Sequence, residues 1–219
     1  MIFDVDGTLV DSNDAHTRAW LAAFAEHGIT VAYDPVRRAI GMGGDKLMPA
    51  VSGIEEDSPQ GQQIASRRKD IFQQTWLARL QPFSRTRELV ERIRDAGFTL
   101  AVASSASEEE LHPLLEAAGV ADLIPTRTSS DDAERSKPDP DIVKAALERT
   151  GCPSERAVLI GDTPYDVDAA RRAGVRAIAF ECGGWGREDL GGATEIYRGA
   201  AELLDRFDQS ILGRGLRVA

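Results

Sequence analysis

Cysteine is scarce in this chain. Cys152 and Cys182 are the only two in 219 residues, and they follow no metal-ligand spacing. A chain of this length buries enough core to fold without a disulfide staple, so both read as reduced, structural residues. Long hydrophobic runs are missing too. No apolar stretch reaches about 18 residues, and no basic segment followed by an apolar one opens the chain, so neither a transmembrane helix nor a signal peptide is expected and the cytoplasm is the expected compartment. Positive charge is in deficit: 26 Lys and Arg face 36 Asp and Glu, a formal charge of −10. That balance argues against a nucleic-acid groove or an anionic membrane as partner, and an anionic ligand would need local cations or a metal. No internal repeat and no low-complexity linker interrupts the chain. The remaining composition, 42% hydrophobic and 28% charged, is that of a globular protein with room for one sizeable domain and a smaller one.

What is present is a change of periodicity along the chain. Residues 13–81 carry helical patterns. Trp20, Leu21, Phe24 and Ala25 form one face ending at Gly28, and Ile64, Ile71, Phe72, Trp76 and Leu80 form another. Asp34-Pro35 reads as a helix cap and first-turn pair. From Arg85 onward helix and strand alternate: helices over 86–96, 108–118, 141–149 and 165–173, strands over 98–103, 121–125, 157–160 and 175–180. Gly97, Gly119, Gly151 and Gly174 each follow a helical run, where a left-handed cap is wanted. Ser107 and Glu110 read as a capping box, and Pro113 should kink or delay its helix. The alternation predicts an α/β fold, a parallel sheet with helices on both faces.

The chemistry-bearing residues gather at strand ends. Asp4 and Asp6 leave the first apolar run, Ile2 to Val5, just before Gly7, which permits a sharp turn. Ser104 and Ser105 end the strand at 98–103. Asp162 and Asp166 follow the strand at 157–160, with Thr163 as cap and Pro164 in the first turn. Lys137 precedes the helix at 141–149 from a polar loop. In open parallel sheets this edge is where ligands bind.

These four segments, Asp4-Val5-Asp6-Gly7-Thr8, Ser104 after its strand, Lys137-Pro138 and Gly161-Asp162 with Asp166, resemble in order and spacing the four signatures of the haloacid dehalogenase superfamily of phosphohydrolases. The resemblance implies a Rossmann-like core, residues 1–12 and 82–219, with an inserted helical cap, residues 13–81. It further implies a magnesium-dependent phosphatase of small phosphate monoesters, similar to phosphoglycolate phosphatases. Asp4 would be the nucleophile, forming an aspartyl-phosphate, and Asp6 the acid and base. Ser104 would bond the phosphoryl group, and Lys137 would offset charge. Mg2+ would be held by Asp4, the Asp6 main-chain carbonyl and Asp162, with Asp166 beside them or bound through water. Losing Lys137 is expected to cripple turnover without unfolding the chain.

Substrate recognition falls to the cap in this family. Gly43, Gly44 and Lys46 lie in a glycine-rich turn of the insert, and Ser105 is a further candidate contact. Met42, Gly43 and Lys46 also resemble the cap segment of phosphonoacetaldehyde hydrolases, where the lysine forms a Schiff base. His16 to Trp20 resembles a stretch of beta-phosphoglucomutase in which the histidine lies beside the acid-base aspartate. A mutase would need a cation for a second phosphate, from Lys46 or from Arg37, Arg38, Arg68 or Lys69, the last four reading as solvated helix faces. A non-catalytic phosphate- or protein-binding relative is the remaining alternative. Oligomeric state is open in the sequence.

Overall fold

The computed structural model of the protein describes residues 1–215. In chain order, β1 (Ile2–Phe3) is followed by α1 (Asn13–Glu26), α2 (Tyr33–Ala39), α3 (Gly44–Ser52) and α4 (Pro59–Ile71) without an intervening strand. Then come α5 (Thr86–Asp95), β2 (Ala101–Ala103), α6 (Glu108–Ala117), β3 (Thr126–Thr128) and α7 (Asp141–Thr150). These are followed by β4 (Val158–Gly161), α8 (Pro164–Arg172), β5 (Arg176–Phe180), β6 (Glu195–Tyr197) and α9 (Ala200–Asp205). The six strands form one parallel sheet in the order β3-β2-β1-β4-β5-β6.

Side chains alternate across the sheet as period two requires. Phe3, Val102, Ile160, Ile178 and Phe180 enter one buried cluster, while Ile2, Ala101, Ala103, Leu159, Ala177 and Ala179 enter the other. Alanines dominate the second face, where α7 and α8 pack through Ala146, Ala169 and Ala170. The first face is built from larger residues, and its cluster continues into the insert through Trp20, Phe24, Val36, Met48, Ile64 and Phe72. Burying residues of this size contributes roughly 1.5–3 kcal/mol each.

The parallel sheet with helices on both faces matches the reading of the sequence, and Gly97, Gly119, Gly151 and Gly174 all adopt positive φ. Several local expectations are corrected. The strand expected over 121–125 lies one step later, at Thr126–Thr128, and β6 was missed; both are sheet edges without a two-sided apolar run. On α1 the buried face runs through His16, Ala19, Trp20, Ala23 and Phe24, leaving Ala25 exposed. Helix α2 begins at Tyr33, so Asp34 sits in its first turn and does not cap it. Ser107 and Glu110 form no capping box, because the Glu110 carboxylate accepts from the Ser107 hydroxyl and turns toward Arg68. Pro113 lies inside an unbroken α6; the carbonyl it cannot pair, that of Glu109, belongs to an exposed residue.

Candidate active site

Strands β1 and β4 are adjacent at the centre of the sheet, where strand order reverses, and they deliver Asp4 and Asp162 to the same crevice. The Asp4 amide extends the ladder by donating to the Ile160 carbonyl at 2.9 Å. Helix α8 adds Asp166, held by a capping box in which the Thr163 amide and hydroxyl donate to Oδ2 at 3.0 and 2.6 Å. Oxygen atoms of Asp4, Asp162 and Asp166, all buried, lie within 4.8 Å of one another.

One lysine balances these acids. Lys137 has no exposed side-chain surface, and its Nζ lies 2.6 Å from Asp4 Oδ1 and 2.7 Å from Asp166 Oδ1. The two carboxylates draw its pKa up despite burial, so it stays charged. Burial pushes Asp4 up to about 7, against the pull of Lys137 and with a further push from Asp166. Asp162 is driven up by burial and then by Asp4 and Asp166, although Asn13 Nδ2 and Thr8 Oγ1 donate to it at 3.0 Å each. Three carboxylates and one ammonium leave negative charge unbalanced. An all-oxygen, carboxylate-rich set of this kind fits a hard divalent cation.

Asp6 is treated differently. Its side chain does not join the acidic cluster; His16 Nε2 lies 2.8 Å from its Oδ1, and the Ser12 hydroxyl donates to the same oxygen. Burial raises its pKa, but His16, Ser12 and Arg68 together hold it below the usual carboxylate value. The imidazole is stacked on Phe72 at 3.9 Å with planes 8° apart, where α4 gives way to a wider π turn over Phe72–Trp76.

Asp4 and Asp6 open onto a chamber of about 60 Å³, walled from the insert by His16, Trp20, Gly43, Gly44 and Arg68 and from the sheet side by Ser105 and Glu110. Ser104 is fully buried beside it; its Oγ accepts from the Ala106 amide at 3.1 Å. Ser105 donates to the Gly41 carbonyl at 3.1 Å. Of the residues singled out from sequence, Asp4, Asp162, Asp166 and Lys137 meet in one cluster, and Asp6, His16, Ser105, Gly43 and Gly44 surround the chamber. Lys46 is not brought there. Its Nζ donates to Asp139 and to the Ser136 carbonyl, tying α3 to the loop before α7.

Arg68 was missed. It reads in sequence as a solvated helix face, yet its guanidinium lies 2.6 Å from the buried Glu110 carboxylate and 5.1 Å above the Trp20 ring. The glycine-rich loop after β5 has a role too. A Cβ on Gly183 would fall 1.7 Å from Asp162 Oδ2, so only glycine allows this approach. Cys182 and Cys152 are free thiols, and burial followed by Asp162 pushes Cys182 up to about 12.

Residues 1–180 match the pattern of the haloacid dehalogenase-like hydrolase family. The chain belongs to that family. Among similar proteins, the N-acetylmuramic acid 6-phosphate phosphatase of Pseudomonas aeruginosa is 28% identical over 215 residues, covering 96% of this chain and 95% of that protein. The phosphoglycolate phosphatase of Rhodospirillum rubrum is 29% identical over 215 residues, covering 94% and 89%. A crystal structure of a hydrolase from Pseudomonas syringae superposes with a TM-score of 0.88 at 27% identity, over 95% of this chain and 97% of that one. No described helix is long and apolar enough to cross a membrane.

Proposed function

We propose that this haloacid dehalogenase-like hydrolase is a Mg2+-dependent phosphatase of small-molecule phosphate monoesters acting through an aspartyl-phosphate, with residues 13–81 as a cap over a core formed by the rest. The observation that carries the proposal is the contrast between two acids two residues apart: Asp4 among carboxylates and Lys137, Asp6 bound to His16. A phosphate ester needs its charge offset and its leaving oxygen protonated, and these two settings serve those separate tasks.

In the first step an Asp4 carboxylate oxygen attacks phosphorus, the new O–P bond forms as the ester P–O bond breaks, and the Asp6–His16 pair gives its proton to the leaving oxygen. In the second step that pair takes a proton from water, whose oxygen attacks phosphorus and expels Asp4. Lys137 fixes the Asp4 carboxylate and offsets charge on the phosphoryl oxygens, and Ser104 donates a hydrogen bond to them. A divalent cation held by Asp4, Asp162, Asp166 and the Asp6 main-chain carbonyl would add positive charge at the same oxygens.

The capture of Lys46 by Asp139 supports simple hydrolysis over Schiff-base chemistry, and the Asp6–His16 pairing supports turnover over mere phosphate binding. Phosphate release from p-nitrophenyl phosphate by the purified chain tests the proposal. Release is expected with Mg2+, absent with EDTA, and lowered by roughly 10³-fold or more in Asp4→Asn. Undiminished release by Asp4→Asn would sink it.

A further inference from the structure

The chamber at Asp4 and Asp6, about 60 Å³, shares a wall with a cleft of about 530 Å³. Gly43, Gly44, Arg68, Ser105 and Glu110 line both. The chamber is too small for more than the reacting group, so the rest of an ester whose phosphorus meets Asp4 must pass this wall into the larger space.

The charge of that space is the informative observation. Asp45, Glu56, Asp131 and Glu134 line the cleft, and none of them is ion-paired among the described residues. Its two cations are already engaged: Arg68 faces Glu110 at 2.6 Å, and Lys69 pairs with Glu109 outside the lining. Glu56 is half-buried, its carboxylate pressed against Gly44. Six serines complete the wall, and Arg68 Nε is buried without a protein acceptor. Such a surface offers carboxylates as acceptors and serine hydroxyls as further polar partners. It offers no free cation for a second anionic group.

We propose that the cleft selects esters whose leaving group is uncharged and rich in hydroxyls, and disfavours those carrying a second carboxylate or phosphate. The proposal rests on the phosphatase reading above and narrows it. A sugar-type leaving group would donate its hydroxyls to Glu56 and the serines. A second anion would lose hydration and meet like charge, most strongly at Glu56, since the other three acids lie at the exposed rim where solvent screens them. Phosphoglycolate and sugar bisphosphates fall in the disfavoured class.

The test is kcat/KM for phosphate release by the intact chain with Mg2+, using glucose 6-phosphate and ribose 5-phosphate against phosphoglycolate and fructose 1,6-bisphosphate. The two monophosphates are expected to lead by at least about tenfold, or about 1.4 kcal/mol. In the double variant Glu56→Gln/Glu134→Gln the ratio of phosphoglycolate to glucose 6-phosphate is expected to rise at least about threefold. Both substrates are read on one preparation, so partial unfolding cancels from the ratio. A wild-type preference for phosphoglycolate or for fructose 1,6-bisphosphate, or an unmoved ratio in the double variant, overturns the proposal. Release from none of the esters would instead remove the phosphatase reading, and this inference with it.

Discussion

The Nζ atom of Lys137 lies 2.6 Å from Asp4 Oδ1, and neither side chain has more than 9% of its surface exposed. Lys137 also meets Asp166 at 2.7 Å, so one ammonium separates two buried carboxylates that would otherwise repel. An ion pair buried to this degree bears on the fold as well as on turnover. Removing one partner of a buried ion pair leaves an uncompensated charge and costs roughly 3–5 kcal/mol. We predict that Lys137→Met both abolishes turnover and lowers the melting temperature of the metal-free protein. Adding Asp4→Asn should recover part of the lost stability, because it removes one of the stranded charges. Thermal melts of the two variants check this; equal melting temperatures for wild type and Lys137→Met would refute it.

The raised pKa of Asp4 makes a second prediction, about pH. In the unfolded chain Asp4 ionises near 3.8, whereas in the fold burial holds its proton until about 7. Between those values the folded state binds more protons, so metal-free stability falls as pH rises through this window and levels off above it. Asp162, raised by the same burial and by its acidic neighbours, acts in the same direction. A divalent cation reverses the sign of the local field, so stabilisation by Mg2+ should grow from pH 4 to 7. Melts at several pH values with Mg2+ and with EDTA measure it. A Mg2+ effect independent of pH would contradict the assignment of the cation to these carboxylates.

Much of this site was legible in the sequence because parallel strands buried on both faces leave unmistakable apolar runs, and polar residues directly after them stand out. Asp4, Ser104 and Asp162 were visible for that reason, whereas Lys137 stood out only through its resemblance to the family's third signature. Arg68 was discounted. Its sequence neighbours Arg67, Lys69 and Asp70 are charged, and only the approach of α4 to α6, which brings Glu110 to 2.6 Å, turns a surface arginine into a wall of the chamber. The short polar strands β3 and β6 failed in the same manner: an edge strand buries one side at most, and Thr126-Arg127-Thr128 shows no apolar pattern.

Gly183 presses the loop after β5 against Asp162. With a Cβ placed 1.7 Å from Asp162 Oδ2, Gly183→Ala must shift either the loop or the carboxylate. The Asn13 side chain, which donates both to Asp162 and to the Gly183 carbonyl at 3.1 Å, would be displaced with them. Groups that orient ligand carboxylates typically alter metal affinity by about 10–100-fold when mutated. We therefore predict a Mg2+ requirement at least about tenfold higher for Gly183→Ala, read from the Mg2+ dependence of phosphate release. An unchanged Mg2+ midpoint would detach this loop from the cation site.

Arg85 carries the last prediction, and it concerns stability alone. It is the non-glycine residue with positive φ among the described residues, at φ 61 and ψ 21, and it sits where the chain re-enters the sheet region before α5. The left-handed conformation costs a side chain about 1–2 kcal/mol relative to glycine. Ion pairs with Glu88 and Asp205 hold the arginine in place, but pairs this exposed contribute little to stability. Glycine would relieve the strain while adding freedom to the unfolded chain, which opposes part of the gain. The balance favours Arg85→Gly by about 0.5–1 kcal/mol, a rise of about 1–4 °C in melting temperature for a chain of this size. Because Arg85 touches neither the acidic cluster nor the chamber, phosphate release at a fixed temperature should stay at the wild-type level. A lower melting temperature would show that the two ion pairs outweigh the backbone strain.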